Sequence, residues 1–496
     1  MGGRVAQGGP ETGPTRSDPG ALHLLPSVVV GGALVVLALA AYWLPGSVRF
    51  YNHFVWQADA FLHGRAAIPW PAAGTYFFQD VLPLRDARGF LTGYALLPFP
   101  PLPAIVLVPF VALFGLATDE RTVSVALGAL DVAICWWALG RLPVSRPVRL
   151  ATTVFFAFGT VLWYAASLGT TWFFAHVVAL APALLAVGVA LGGDQSFATD
   201  AAGEAARIEG GEQSPSGRLR GAVRAFATDA ETALRDLPGF LDRRQFLAGL
   251  LFGLACTARL TIVFGAPFFA FVGSGGSVAR RAVSAALGAA IPIGLLLAYN
   301  VATTGHLFHP GYEYLYRLEA VGYRALGYNP AWNIEDIRYL PQNLGIMLTS
   351  LPAILPNSMP GLGGGQALCA EPGAARGLFD LACPIAMPQE IGMSLLLTSP
   401  AYLLVIPALV RLRRSRLVAG CTLAVVAIAV VNLMHFSQGW VQFGYRFSND
   451  FVVFALPLVA IGMARRGGVT RLAAALLAAS VAINFWGMTW GNLLGW

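Results

Sequence analysis

Residues Leu25-Pro-Ser-Val-Val-Val-Gly-Gly-Ala-Leu-Val-Val-Leu-Ala-Leu-Ala-Ala-Tyr-Trp-Leu-Pro-Gly46 form an apolar stretch without one charged side chain. A helix that crosses a bilayer needs about 20 such residues. Apolar residues make up 56% of the 496-residue chain and charged residues 11%, against about 25% charged in soluble domains. The sequence therefore predicts an all-α polytopic membrane protein. Further apolar runs lie at 98–117, 122–140, 150–167, 172–192, 246–272, 279–302, 391–410, 417–434, 451–464 and 471–490.

The positive charges, which are all arginine, indicate how these runs are oriented. They occur in short clusters between apolar runs, which is typical of cytoplasmic loops and not of a nucleic-acid-binding face. Keeping Arg141 and Arg146 cytoplasmic requires that run 98–117 does not cross. Run 246–272 is interrupted by glycine, arginine and proline, which predicts a broken hairpin. We expect a bundle of about 9–11 transmembrane helices, with nine crossing and two non-crossing elements.

The same reasoning divides the chain into cytoplasmic, membrane and external segments. The two longest external segments are expected to carry the chemistry. Cys369 and Cys383, which both lie in the second of them, are expected to form a disulfide in an oxidising compartment. The expected segments are a disordered cytoplasmic tail (1–21), an N-terminal membrane module (22–192) with a first external loop (47–97), a polar cytoplasmic loop (193–245), membrane helices (246–302), a long external loop (303–390) and C-terminal membrane helices (391–496).

A juxtamembrane helix is predicted in the first external loop, at 50–64. Its polar face, at helical spacing, carries Asn52, Trp56, Asp59 and His63. One interpretation is a membrane-seated helix with a solvated face. The other is a catalytic base, Asp59, influenced by His63, with Trp56 as a stacking surface for a sugar.

Further acidic residues follow in the same loop and inside the membrane. Asp80 could supply a second carboxylate or cap a turn, and for Asp86 a turn is the first expectation. Asp131 and Arg259 are expected near mid-membrane depth, where charges pair or line a functional cavity. Arg259 therefore pairs with Asp131 or faces an anionic lipid headgroup.

Near the last external loop, Arg446 follows Tyr445 and precedes Asp450. A guanidinium is a planar fork suited to phosphate, but Arg446 could also anchor the interface or pair with Asp450. The loop at 303–390 contains Arg317 and many aromatic residues, and its length favours a lid or a binding loop.

The chain resembles the GT-C-type membrane glycosyltransferases, which include protein O-mannosyltransferases and other lipid-carrier-dependent enzymes. The resemblance extends over about residues 25–490. It rests on the long first external loop and on four diffuse motifs. These are Ala58-Asp-Ala-Phe-Leu-His-Gly-Arg65, Phe99-Pro-Pro-Leu-Pro-Ala-Ile followed by Leu113-Phe-Gly, Gly249-Leu-Leu-Phe-Gly-Leu-Ala-Cys-Thr-Ala-Arg259 and Phe443-Gly-Tyr-Arg-Phe447.

The resemblance implies inverting transfer of a sugar from a polyprenyl-phosphate donor, on the outer face of a bacterial plasma membrane, to an unknown saccharide, lipid or protein acceptor. A carboxylate of the first loop would be the base, either Asp59 or Asp80, because Tyr51-Asn52 stands where relatives often have Asp-Glu. No cofactor is expected, although a divalent ion held by carboxylates stays open. The alternatives are a transporter or flippase of a lipid-linked saccharide, or a non-catalytic protein of this fold. The expected substrate-binding residues are Asn52, Trp56, His63, Arg259, Arg317, Tyr445 and Arg446.

Overall fold

The computed structural model describes most of the chain, including nearly all of its apolar runs. The described residues are 24–44, 52–70, 80–194, 237–319, 329, 331–360, 365–371, 373–439 and 441–496. The predicted tail (1–21) and most of the predicted cytoplasmic loop (193–245) lie outside them. Side chains are also not described at 24–26, 237 and 317–319.

Helices account for almost all of the described secondary structure. In chain order they are α1 (Leu24–Trp43), α2 (His53–Leu62), α3 (Leu102–Phe114), α4 (Glu120–Leu139), α5 (Arg146–Phe158), α6 (Leu162–Leu168), α7 (Thr171–Gly193), α8 (Leu237–Phe240), α9 (Arg243–Cys256), α10 (Pro267–Phe271), α11 (Val278–Thr304), α12 (Gly311–Glu319), α13 (Leu340–Thr349), α14 (Leu395–Thr398), α15 (Ile406–Leu409), α16 (Arg416–Met434), α17 (Ser448–Arg465) and α18 (Arg471–Leu493). Short 3₁₀ segments lie at Gly115–Ala117, Leu260–Gly265, Ile337–Tyr339 and Pro400–Val405.

The prediction of an all-α polytopic membrane protein is confirmed. Among the described residues, six helices (α4, α7, α11, α16, α17 and α18) are long and apolar enough to cross a membrane. Helices α5 and α6 form one further span, bent by 45°. Shorter apolar helices cover Ser27–Trp43, Leu102–Ala117, Leu260–Phe271 and Pro400–Leu409. Each apolar run predicted from the sequence therefore contains helix.

Several arginines lie at one end of the bundle, which we call the Arg-rich end. There the Arg149 guanidinium donates to the carbonyl of Trp136 and lies over its ring. Arg244 donates to the carbonyl of Val189, near the end of α7. The opposite end holds the last residues of α1, the start of α7 and the start of α17.

Run 246–272 folds back on itself as the broken hairpin that the sequence predicts. The side-chain amide of Gln245, at the start of the run, donates to the carbonyls of Phe269 (2.7 Å) and Val272 (3.1 Å), at its end. Both ends of the run therefore lie at the Arg-rich end. The tip, where α9 stops at Cys256, reaches toward the opposite end and carries Arg259.

Small residues let the first arm of the hairpin pack closely on the next helix. A Cβ added at Gly249 would lie 2.0 Å from the carbonyl oxygen of Ala285, and one added at Gly288 would lie 2.1 Å from that of Phe246. Close backbone approach at small residues is a common way for membrane helices to associate. This contact fixes the hairpin, and with it Arg259, against α11.

Helix α3 also keeps both of its ends away from the Arg-rich end. It packs along α2, and its first amide, that of Leu102, donates to the carbonyl of Thr257 at the hairpin tip. Soon after α3 ends, Arg121 donates to the carbonyl of Trp43, at the end of α1. This geometry agrees with the prediction that run 98–117 does not cross.

The first external loop contains a small antiparallel sheet that the sequence did not predict. Strand β1 (Ile68–Pro69) and strand β2 (Leu82–Arg85) pair on either side of β3 (Leu91–Leu96). A second pair, β4 (Ala353–Ile354) and β5 (Ala386–Met387), closes part of the long loop. The first sheet covers one side of α2. Asp80 lies two residues before β2.

Candidate functional site

The hairpin tip and the start of α17 meet in a buried ion pair. The guanidinium of Arg259 donates through Nε to Asp450 Oδ1 (3.1 Å) and through Nη2 to Oδ2 (3.0 Å). The Asp450 side chain has no exposed surface, whereas 21% of the Arg259 side chain stays exposed. A bidentate pair of this kind fixes the plane of the guanidinium. It also leaves Nη1 to bind a ligand.

Three further groups surround the Asp450 carboxylate. The hydroxyl of Thr261 donates to Oδ2 (2.7 Å), the amide of Asn432 donates to the same oxygen (3.3 Å), and His176 Nδ1 lies 2.9 Å from Oδ1. Buried charges are tolerated when they are paired and hydrogen-bonded in this way. Asp450 is therefore held from three different segments of the chain, the hairpin tip, α16 and α7.

The partner of Arg259 is Asp450, so the expectation of an Asp131–Arg259 pair is wrong. Asp131 lies inside α4, completely buried, and neither of its carboxylate oxygens has a hydrogen-bond partner among the described residues. Asp450, the alternative partner expected for Arg446, contacts Arg259 and His176 through Oδ1.

Asp80 reaches the same end of the bundle from the first loop. Its Oδ2 accepts a hydrogen bond from the indole nitrogen of Trp172 (2.6 Å), in the first turn of α7. The backbone of Asp80 has φ of +67°, a left-handed conformation that is costly for a residue with a Cβ. Such strain persists where surrounding contacts hold it, and it clusters at functional sites.

Trp172 is itself fixed by neighbours at the start of α2. The ring of His53 packs against the indole, with ring centres 5.8 Å apart. His53 Nδ1 lies 2.9 Å from the hydroxyl oxygen of Thr171, and the backbone amide of His53 donates to the same oxygen (3.1 Å). Asp80 is therefore positioned by a chain of contacts that includes a completely buried histidine.

Tyr312, in the first turn of α12, packs edge-on against the ring of Phe99, with ring centres 6.5 Å apart. Phe99 in turn contacts the ring of His53, with centres 6.2 Å apart. Burial raises the pKa of the Tyr312 phenol to about 12, so it stays neutral and can donate a hydrogen bond. Farther along the same loop, Glu335 lies 3.1 Å from His435 Nδ1, just after α16. The long loop therefore contacts the bundle at two places near the site.

Arg446 lies at the same place from the last external loop. Its guanidinium carbon is 5.2 Å from the ring centre of Phe447 and 5.7 Å from that of Phe173. The guanidinium carbon of Arg259 lies 5.4 Å from the centre of the same Phe447 ring. Phe447 therefore contacts both guanidinium groups. Tyr445 is completely buried beside Phe447, and its expected role in substrate binding stays a prediction.

Asp59 and His63 lie apart from this cluster, farther along α2. His63 Nδ1 is 2.8 Å from the carbonyl oxygen of Asp59 and 3.6 Å from its Oδ2. Among the described residues, no other side chain pairs with the Asp59 carboxylate. Asn52 occupies the N-cap position of α2 without a side-chain cap hydrogen bond. Trp56 packs against the apolar cluster under the first sheet.

The remaining expectations have separate outcomes. The side chain of Arg317 lies outside the described residues, so its predicted role stays a prediction. Asp86 caps a turn, since its Oδ1 accepts from the amides of Arg88 and Phe90, both at 2.9 Å. Cys369 and Cys383 are joined in a disulfide, as predicted.

The arrangement places a carboxylate, a phenol and two guanidinium groups at one end of a membrane bundle. Sequence reasoning missed His176, Trp172 and Tyr312. A buried histidine inside an apolar run was an available signal for the first, but nothing local marks the other two. Within the part of the chain that is described, no group of three or more His, Cys, Asp or Glu side chains could hold a metal ion.

Comparison with solved structures found chains that are similar to this one at low identity. The chain is similar to the apo oligosaccharyltransferase of Archaeoglobus fulgidus, with 11% identity over 96% of this chain and a TM-score of 0.38. It is also similar to the same enzyme tethered to an acceptor peptide containing the NVT sequon, with 12% identity over 94% of this chain and a TM-score of 0.39. The chain spans 56% and 55% of the length of those two structures. No family model matches the sequence, and no curated protein matches it.

Proposed function

We propose that the chain transfers a sugar from a polyprenyl-phosphate donor to a hydroxyl or amide acceptor at the outer face of a bacterial plasma membrane, with inversion at the anomeric carbon. The observation that carries this proposal is that Asp80 and both guanidinium groups meet at the start of α7. Trp172 donates to Asp80, Phe173 lies 5.7 Å from the Arg446 guanidinium, and His176 contacts the Asp450 carboxylate that holds Arg259. Asp80, Arg259 and Arg446 come from segments far apart in sequence. A base and a cation at one place are what transfer from a lipid phosphate requires.

In the proposed reaction, Asp80 is the base. Its carboxylate removes the proton from the acceptor as the acceptor attacks the anomeric carbon, and the bond from that carbon to the phosphate oxygen breaks. The electron pair leaves with the polyprenyl phosphate. Trp172 donates to Oδ2 of Asp80, so Oδ1 is the oxygen that would receive the proton. Asp59, whose carboxylate has His63 as its one side-chain partner within the described part of the loop, is the weaker candidate.

Arg259 and Arg446 are the proposed phosphate ligands. Arg259 is held by Asp450 through Nε and Nη2, so its Nη1 is the group offered to the phosphate. Preorganised donors stabilise charge that develops in a transition state because they need no reorganisation at that moment. The donor lipid chain would remain in the bilayer beside the bundle.

The test is turnover of a polyprenyl-phosphate hexose by purified protein with mixed acceptors. Loss of a positioned base lowers the rate by about 10²–10⁴-fold, so Asp80→Asn should lose transfer to that extent. The matched control, Asp59→Asn in the same loop, should stay within a few-fold of the wild type. Full transfer by Asp80→Asn would overturn the assignment of the base.

The same protein in sealed vesicles distinguishes the transferase from a flippase. Movement of the lipid-linked sugar across the bilayer without transfer to an acceptor would favour a transporter and contradict the proposed reaction. Transfer without net movement across the bilayer supports it.

A further inference from the structure

The long external loop contains a compact unit at residues 353–387, of which 361–364 and 372 lie outside the described residues. We call it the disulfide unit, because Cys369 and Cys383 are bonded within it. Strands β4 and β5 pair at its base. Backbone hydrogen bonds then continue the pairing, from Leu355 to Ile385, from Gly377 to Cys383 and from Ile385 to Gly377. Many of its main-chain polar groups are therefore satisfied inside the unit.

The few charged side chains of the disulfide unit include two that bind its own backbone. Arg376 donates to the carbonyls of Pro356 (3.0 Å) and Pro384 (2.8 Å). Asp380 Oδ1 accepts from the amide of Ala382 (2.8 Å). The third charged residue, Glu371, lies on the exposed surface of the unit. Polar groups that are used internally leave an outer surface dominated by apolar side chains.

The outer surface of the disulfide unit is unusually apolar for an external loop. Ile354 is 62% exposed and Leu378 is 52% exposed. The other large apolar side chains exposed on this unit are Leu355, Phe379, Leu381 and Ile385. The backbone bond from Leu355 to Ile385 places two of these residues side by side, and Leu378, Phe379 and Leu381 lie within one short stretch of the disulfide-closed ring. A group of exposed apolar side chains of this kind marks an interaction surface.

The unit lies beside the lipid-facing side of α18, well below the end of that helix. The ring of Phe379 contacts that of Phe485, with centres 6.4 Å apart, and Phe485 is itself exposed. Phe485 is eight residues before the last residue of α18, or about 12 Å along the helix. An apolar cavity of about 190 Å³ continues the contact; it is lined by Pro352, Ala386, Met393, Leu397, Ile483 and Trp486.

We propose that the disulfide unit is seated in the bilayer, with Ile354, Leu378 and Phe379 inserted among the lipids of the leaflet at the end opposite the Arg-rich end. The occupant of the apolar surface is lipid because that surface continues the lipid-facing side of α18 at the same depth. Elements of this kind lie about 5–10 Å into the headgroup and acyl boundary. The proposal does not depend on glycosyl transfer.

Photo-crosslinking in phosphatidylcholine nanodiscs tests the seating. Benzoylphenylalanine is incorporated in place of Phe379 or, in a second variant, of Ile354. The control carries benzoylphenylalanine in place of Glu371, which lies in the same disulfide-closed ring as Phe379. Each variant is irradiated, and lipid adducts are measured by intact mass spectrometry.

The expected result is a lipid-adduct yield at Phe379 and Ile354 at least five-fold above that at Glu371. Similar yields at the apolar and control positions would overturn the proposal. Adducts to a second copy of the chain in place of lipid would overturn it as well, because they would show a protein interface. A failure of one apolar variant to fold leaves the other to decide.

Discussion

Asp450→Asn should uncouple Arg259 from the protein without changing the size of the side chain. In the structure Asp450 binds Nε and Nη2 of Arg259 and also accepts from Thr261. Removing one partner of a buried ion pair costs about 3–5 kcal/mol, because the other charge is left uncompensated. Since 21% of the Arg259 side chain is exposed, water relieves part of this penalty. We therefore expect about 3 kcal/mol, a factor of roughly 150 in an equilibrium constant.

A double-mutant cycle isolates this coupling. The free energy of unfolding is measured in mixed micelles for the wild type, Asp450→Asn, Arg259→Gln and the double variant. The double variant should be no less stable than Asp450→Asn alone. The matched control is Asp336→Asn, whose partner Arg338 is exposed, and its effect should be much smaller. A coupling free energy below about 1 kcal/mol, the range of exposed pairs, would refute the view that Asp450 clamps Arg259.

Other predictions concern the contacts around the site. Trp172→Phe removes the N–H that binds Asp80. Because a hydrogen bond to a charged group contributes about 1.5–3 kcal/mol, turnover should fall about ten-fold while donor affinity is unchanged. Unchanged turnover would contradict the positioning role of Trp172. Arg446→Ala should weaken binding of polyprenyl phosphate at least ten-fold. The control Arg85→Ala, at the exposed end of β2, should change it less than two-fold. Equal affinities of the two variants would remove Arg446 from the site. Burial lowers the pKa of His309 to about 4, below the value of about 6.5 for an unperturbed histidine. The unfolded chain therefore takes up the proton first, and stability should fall as pH drops from about 6.5 to about 4; unfolding measured against pH should show a weaker decline for His309→Asn, and identical profiles would contradict this.

Much of the fold could be predicted because apolar runs have the length that a bilayer demands. The placement of the arginines also required that two apolar runs do not cross the membrane. For run 246–272, the hydrogen bonds from Gln245 to the end of the run agree with this requirement. The sheet in the first loop was not predictable, because its strands are short and separated by residues with no alternating pattern. The sheet packs on Trp56 and so covers part of the expected solvated face of α2, whereas His63 on the same face stays exposed.

The site was predictable only in part. Asp80, Arg259 and Arg446 stood out as charges in apolar surroundings, and the structure brings them to one end of the bundle. Their partners were not predictable, because periodicity within a helix says nothing about which distant segment packs against it. Asp131 was the partner that membrane depth predicted for Arg259, and only the tertiary fold selects Asp450. Tyr312 has no local pattern that distinguishes it from the other aromatic residues of its loop.

In the proposed mechanism, Asp80, Arg259 and Arg446 line one pocket for a polyprenyl-phosphate headgroup. A structure of the protein in a nanodisc with a polyprenyl-phosphate hexose bound would show this pocket occupied. We expect the phosphate within hydrogen-bonding distance of Arg259 Nη1 and the Arg446 guanidinium, with the anomeric carbon facing Asp80. A headgroup bound beside Asp59, or at any place that neither arginine touches, would contradict it.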